Sequence, residues 1–153
     1  MRGRSGIAIV VLGLLYGGCA DPYRVEPRPA PPAVPSPTTR DAVVRAFATR
    51  WVNWTWQTVP AQQRALALLA TPGLARVLRA NGSSARIDAI VTRDRPGVRG
   101  HIIVVRMTSA REGIVLTQEQ TLTDGHPDLG GEQYRVYRVS TRGVRGKWKV
   151  SRW

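Results

Sequence analysis

The sequence predicts an α+β domain in which three helices come first and pack on one face of a curved antiparallel sheet of four or five strands. Three observations carry this reading. Apolar residues recur at helical spacing from Val43 to Leu78. After Gly82 the apolar period falls from about 3.6 residues to about 2. Turn-forming pairs, Asn81-Gly82, Asp124-Gly125 and Gly130-Gly131, then punctuate the second half. No internal repeat is visible. With 1 cysteine no disulfide can form within the chain, so packing alone must hold the domain together.

In residues 41–57, Val43, Phe47, Trp51 and Trp54 recur at helical spacing with Val44, Ala48 and Val52 beside them. That wide apolar stripe suits a helix lying across a sheet. Thr38 supplies the cap, with Asp41 three residues on as a variant of the capping box. Pro60 fits the first turn of a second helix, 60–70, carrying Leu66, Leu68 and Leu69. Thr71-Pro72 opens a short third helix with Leu74, Val77 and Leu78, and Asn81-Gly82 closes it with residues suited to a left-handed cap.

Beyond Gly82, Ala85, Ile87, Ala89 and Val91 alternate with Arg86, Asp88 and Ile90, which reads as a half-buried strand. A second strand is expected over 101–109, with Ile103, Val105 and Met107 on one face, and a third over 114–123 after the tight link 110–113. A polar loop fills 123–131. Segments 133–141 and 147–153 close the chain as a hairpin around Gly143 and Gly146.

Ahead of this domain, Arg2 and Arg4 precede an apolar run over 7–16, and Gly17-Gly18-Cys19 follows. The run is about half the ~20 residues that a spanning helix needs, so 1–18 reads as an export signal. The pattern resembles a bacterial lipoprotein signal, with Cys19 as the lipidated first residue of the mature chain. Tyr16 stands where such signals usually carry Leu, and Leu15 lies one step earlier. The alternative is ordinary cleavage after Ala20, at the small-x-small site Gly18-Cys19-Ala20, giving a secreted protein. Both readings take the chain out of the cytoplasm. Of the 11 prolines, seven fall between residues 21 and 40. Residues 19–40 are therefore expected to form an extended polyproline stalk of about 60 Å, leaving 41–153 as the folded domain.

The formal charge is +13, almost all of it arginine, since Lys147 and Lys149 are the sole lysines. A basic exported protein binds anionic lipid headgroups, cell-wall polymers or DNA by the same screened electrostatics, and charge does not choose among them.

Phe47-x-x-x-Trp51-x-x-Trp54, the leucine-rich stretch 66–78 and the closing Gly146-Lys147-Trp148-Lys149-Val150-Ser151 carry a resemblance. Over 38–153 the chain is similar to the cone-shaped NTF2-like (cystatin-like) fold, and more narrowly to VirB8-type and TcpC-type conjugation proteins or the Mce-associated proteins of actinobacteria. VirB8-type proteins usually carry a transmembrane helix where this chain has a lipoprotein-type signal. The resemblance implies a non-enzymatic assembly component without a cofactor, at the outer face of a membrane, working through envelope protein partners and able to form a homo-oligomer. The same fold also carries isomerases and small-ligand binders.

No metal site is expected, because His101 lies in a strand and His126 in a loop without a second His or Cys at ligand spacing. An acid–base set would have to use His101, Glu119 and Asp124, and such chemistry needs a carboxylate or imidazole inside an apolar cavity. Glu119 falls on the strand face opposite Leu116 and Leu122, so it is expected to point to water, and no catalytic residue is assigned. Trp51 reads as core. Trp54 and Trp56, about 200° apart on a helix, cannot both face inward, which makes them candidate partner contacts.

The other candidate contacts, for a partner or an anion, are Arg135, Arg138, Arg142, Arg145, Lys147, Lys149 and Arg152, interleaved with Tyr134, Tyr137, Trp148 and Trp153. Alternation puts Tyr134, Val136 and Arg138 on one face and Arg135, Tyr137 and Val139 on the other. Arginines on both faces fit a solvated strand pair whose charges block edge pairing. They also fit an anionic partner, with protein or lipid placed ahead of nucleic acid by the export signal. The expected function is a lipid-anchored binding component of a cell-envelope machine for conjugation or secretion. A ligand-binding or isomerase-like cavity, and an anionic-polymer site on the hairpin, are the alternatives.

Overall fold

Thr39 is extended, and its Oγ1 accepts a hydrogen bond from the Ala42 amide at 3.2 Å, so helix α1 runs Arg40–Trp51 with its cap one residue after the expected Thr38. The computed structural model describes residues 37–153, so the export signal, Cys19 and nearly all of the proline-rich segment lie outside the described residues. Val43, Val44, Phe47 and Ala48 form the buried stripe of α1. The helix ends at Trp51 rather than at residue 57. The Asn53 side chain donates to the Thr49 carbonyl and to Gly100 O, both at 2.9 Å, and accepts from the Gly100 amide at 3.3 Å. It thereby seals the helix end and continues a sheet ladder in place of backbone. Trp54–Thr55, residue types that favour strands, then pair with Val98 and Gly97 as β1.

Helices α2 (Val59–Leu69) and α3 (Pro72–Gly82) stand where expected, each with Pro in its first turn. Residues Ala85–Asp94 are a fourth helix, α4, and not the strand expected over 85–91. The alternation of small or apolar with charged residues there fits either period, and the cap decides. Ser84 is extended and its Oγ accepts from the Ile87 amide at 3.5 Å, while Asp88 places a negative charge in the first turn. Ile87 and Val91, one turn apart, are half-buried. Arg95, at φ 46°, ends the helix in the left-handed region.

Strands β2 (Pro96–Met107), β3 (Glu112–Thr123), β4 (His126–Val144) and β5 (Lys147–Arg152) extend β1 into a five-stranded antiparallel meander in sequence order. The loop expected over 123–131 shrinks to the turn Asp124-Gly125, with φ of 50° and 81°, and β4 grows to 19 residues. Positive φ at both central residues gives the turn the twist that matches its strands. The β4–β5 turn repeats the device with Arg145 at 50° and Gly146 at 73°.

Register shifts at Ile102/Val104, Gln120/Leu122 and Ser140/Thr141 bend the sheet. The first of them corrects the expected face. Ile102, Val105 and Met107 pack on the core, whereas Ile103 is 40% and Val104 41% exposed. The core lies between the helices and the concave face, with Phe47, Leu66, Val115, Val139 and Val150 fully or almost fully buried. Two polar ties close it. Arg40 Nη1 donates to Ser109 O at 3.1 Å and Ala110 O at 2.7 Å, and the Thr71 amide donates to Val150 O at 2.8 Å.

Candidate functional site

On β3, Val115, Thr117 and Glu119 face the core in succession, because residues two apart in a strand share a face. Glu119 is therefore inside, 5% exposed, which corrects the expectation that it points to water. The register shift between Gln120 and Leu122 reverses the alternation, so Leu122 is buried as well and was a misleading guide to the face of Glu119. Thr117 Oγ1 donates to Glu119 Oε1 at 2.6 Å and the Tyr137 hydroxyl donates to the same oxygen at 2.8 Å. Arg135 Nε lies 3.7 Å from Oε2 and supplies the counter-charge.

Burial, and then the hydrogen bond to Glu119 with its charge, push the Tyr137 hydroxyl above its ordinary 10.0, against smaller opposing effects of Trp51 and Arg135. Tyr137 thus stays a proton donor at neutral pH. Its ring stacks on Trp153 with centroids 5.0 Å apart, and Trp153 lies 5.0 Å from Phe47 and 5.9 Å from Trp51. The aromatic cluster packs the concave side next to the carboxylate.

The acid–base set is not brought together. His101 is exposed on β2 opposite Gln118, and Asp124 sits in the β3–β4 turn bound to Arg95 at 3.1 Å. His126 is exposed at the start of β4. Among the described residues no group of three or more His, Cys, Asp or Glu side chains could hold a metal ion, and no helix is long and apolar enough to cross a membrane.

Trp54 and Trp56 are not helical, so the 200° separation does not apply. Both are half-buried, Trp54 in β1 and Trp56 just after it with the Arg95 guanidinium 5.6 Å from its ring. They line two neighbouring clefts shared with α2 and α4. One, of about 370 Å³, is bounded by Trp56, Pro60, Asn81, Ile87 and Asp88, and the other, of about 210 Å³, by Trp51, Trp54, Gln62 and Gln63. The helix α4, unforeseen from the sequence, forms one wall of both.

The basic hairpin divides by role. Arg135 pairs with Glu119, and the Lys149 ammonium donates to Leu68 O, so these two serve the fold. Arg138, Arg142, Arg145, Lys147 and Arg152 are exposed. The alternation expected on β4 holds: Tyr137, Val139 and Thr141 turn inward, while Tyr134 and Val136 are 68% and 66% exposed. By register Val104, Leu116 and Val136 form one row across β2, β3 and β4, with Tyr134 beside Gln118 in the next row. Arg106, Ile114 and Arg138 form the row on the other side. Thus the sheet face away from the helices carries an apolar strip bordered on one side by Arg106 and Arg138. Sequence reasoning missed this strip, although the even-numbered residues of β3 and β4 signal it; the bulge at Ile103 hides the contribution of β2.

No protein-family model matches the chain, and no curated protein matches it. Solved structures do. The soluble domain of TrwG from the Type IV secretion machinery of Bartonella grahamii aligns with a TM-score of 0.54 at 9% identity, over 71% of this chain and 86% of that one. The VirB8 protein of Agrobacterium tumefaciens aligns with a TM-score of 0.54 at 14% identity, over 78% and 93%. A domain of unknown function with a cystatin-like fold from Nostoc punctiforme aligns at 0.47 and 12% identity, over 76% and 75%. The fold is the NTF2-like α+β cone that the sequence resembles, in the form taken by the TrwG soluble domain and the VirB8 protein.

Proposed function

We propose that this chain is an exported, membrane-tethered binding component of a cell-envelope machine, of the secretion or conjugation kind, without catalytic activity of its own. In this reading residues 1–18 direct export, Cys19 carries the lipid, 19–40 hold the domain away from the membrane, and 41–153 bind neighbouring envelope proteins, further copies of this chain included. The fold shared with TrwG and VirB8 supports the setting.

The observation that carries the binding role is the apolar strip on the open sheet face. Tyr134 and Val136 are about two-thirds exposed, and Arg106 and Arg138 stand at its rim. An aromatic and aliphatic centre bordered by arginine is the composition of a protein interface. The ligand-cavity alternative loses ground because the Glu119 oxygen that accepts two hydrogen bonds does so from within the chain, beside the packed rings of Tyr137 and Trp153.

The test is cross-linking in intact cells followed by capture of the full chain. Wild type should bring down secretion or conjugation components of the envelope, and Val136→Glu should lose them while keeping its circular dichroism spectrum and melting point. Equal capture by the two, or capture of no such component, refutes the proposal.

A further inference from the structure

At the end of the sheet near the β2–β3 hairpin, chain segments far apart in sequence bring arginines around one hollow. A cleft of about 660 Å³ is lined by Arg111 at the entry to β3, Arg142 on β4 and Arg152 on β5, with Ser140, Ser151 and Glu112 between them. A neighbouring cleft of about 280 Å³ shares Glu112, Ser140 and Arg152 and adds Arg138. The sheet register explains the gathering. Ser140 pairs with Glu112 on one side and Arg152 on the other, and the shift at Ser140/Thr141 lets the Thr141 amide donate to Arg111 O at 2.7 Å.

Among the described residues, none of these four guanidinium groups lies within 4.0 Å of a carboxylate or donates a hydrogen bond to protein. Three positive groups face the single Glu112 carboxylate in the larger cleft, so its lining is net positive. Arginines held around a hollow without protein partners are poised for an outside anion, since the planar guanidinium fork matches the oxygens of a phosphate.

The fourth wall adds to this. It is the start of α3, where Thr71, Pro72, Gly73 and Leu74 line the cleft. Thr71 makes no side-chain cap, the first turn holds no acidic residue, and a Cβ added at Gly73 would meet nothing within 4 Å. The Thr71 amide donates to Val150 O and Pro72 has no N–H, so Gly73 and Leu74, which line the cleft, carry the opening amides of this 11-residue helix that have no protein partner among the described residues.

We infer that the cleft between the α3 N-terminus and the β3–β5 end of the sheet binds a phosphate-bearing anion, through Arg111, Arg142 and Arg152. This site is separate from the apolar strip and stands whether or not a partner protein docks there. A soluble phosphoester and a phospholipid headgroup present the same chemistry to it.

The experiment uses the full purified chain and the double variant Arg142→Gln/Arg152→Gln, with Arg64→Gln, an exposed α2 residue, as control. Inorganic pyrophosphate is titrated by calorimetry, and phosphatidylcholine vesicles with and without phosphatidylglycerol are tested by flotation. The expected result is saturable binding weakened at least tenfold in the double variant and unchanged in the control. Loss of pyrophosphate binding in the double variant identifies a soluble phosphate ligand. Every chain in the flotation arm also carries Cys19→Ala, so that an N-terminal lipid does not hold wild type and variant to vesicles alike; loss confined to phosphatidylglycerol vesicles then identifies a headgroup. Failure of both probes to bind, or equal binding by wild type and double variant, overturns the inference.

Discussion

Tyr137→Phe isolates the buried carboxylate from every other feature of the fold. The substitution keeps the ring, its stacking on Trp153 and its volume, and removes the hydroxyl that donates to Glu119 at 2.8 Å. A hydrogen bond to a charged group contributes about 1.5–3 kcal/mol net. Glu119, 5% exposed, keeps its bond from Thr117, and the half-exposed Arg135 at 3.7 Å offsets at most about 1 kcal/mol after screening. The expected loss is therefore about 2 kcal/mol, read as a lower urea midpoint at constant slope, or a fall in melting temperature of about 8 °C. In a Glu119→Gln background the same change should cost only about 1 kcal/mol, because a neutral acceptor makes the weaker bond; the cycle then gives a coupling of about 1 kcal/mol. A loss under about 0.5 kcal/mol, or a coupling near zero, refutes the placement of Glu119 inside the cone.

Alkaline pH tests the same pair differently. The folded Tyr137 titrates above its unfolded value of 10.0, so its stabilising contribution is complete below about pH 10 and is lost as pH rises through the folded value. Stability measured against Tyr137→Phe should show a constant gap from about pH 7 to 9 that narrows above 10, and a widening gap would contradict the sign. Ser84→Ala should cost about 1 kcal/mol and reduce helical circular dichroism, since it removes the cap of α4; no change in either would speak for a strand over 85–91. A Cβ at Gly100 would meet the Gln118 carbonyl oxygen at 2.7 Å, so Gly100→Ala should destabilise the β2–β3 pair by about 1–3 kcal/mol, read by urea unfolding. Cys19→Ala should move the protein from the membrane to the soluble fraction; unchanged fractionation would refute lipidation.

Local pattern alone determined much of this molecule. The stripe Val43, Val44, Phe47 and Ala48 marks α1 because a helix repeats its contacts every three to four residues. Pro60 and Pro72 mark two helix starts, and alternation along β4 puts Tyr134 and Val136 together on one face, without saying which face is outward. Tertiary structure decided whatever depended on a shift of register or on distant chain segments meeting. An extra residue at Ile103 on β2, and the unequal spans Gln120 to Leu122 on β3 and Pro127 to Glu132 on β4, exchange faces along the strands, which is why Leu122 shares the inside with Glu119. The alternation over 85–91 satisfied both periods until the Ser84 cap settled it. Arg111, Arg142, Arg152 and the start of α3 meet only because the meander returns β5 beside β4 and Thr71 bonds to Val150. Periodicity records which face a residue shares with its chain neighbours, whereas the contents of a cleft depend on pairings that close long loops.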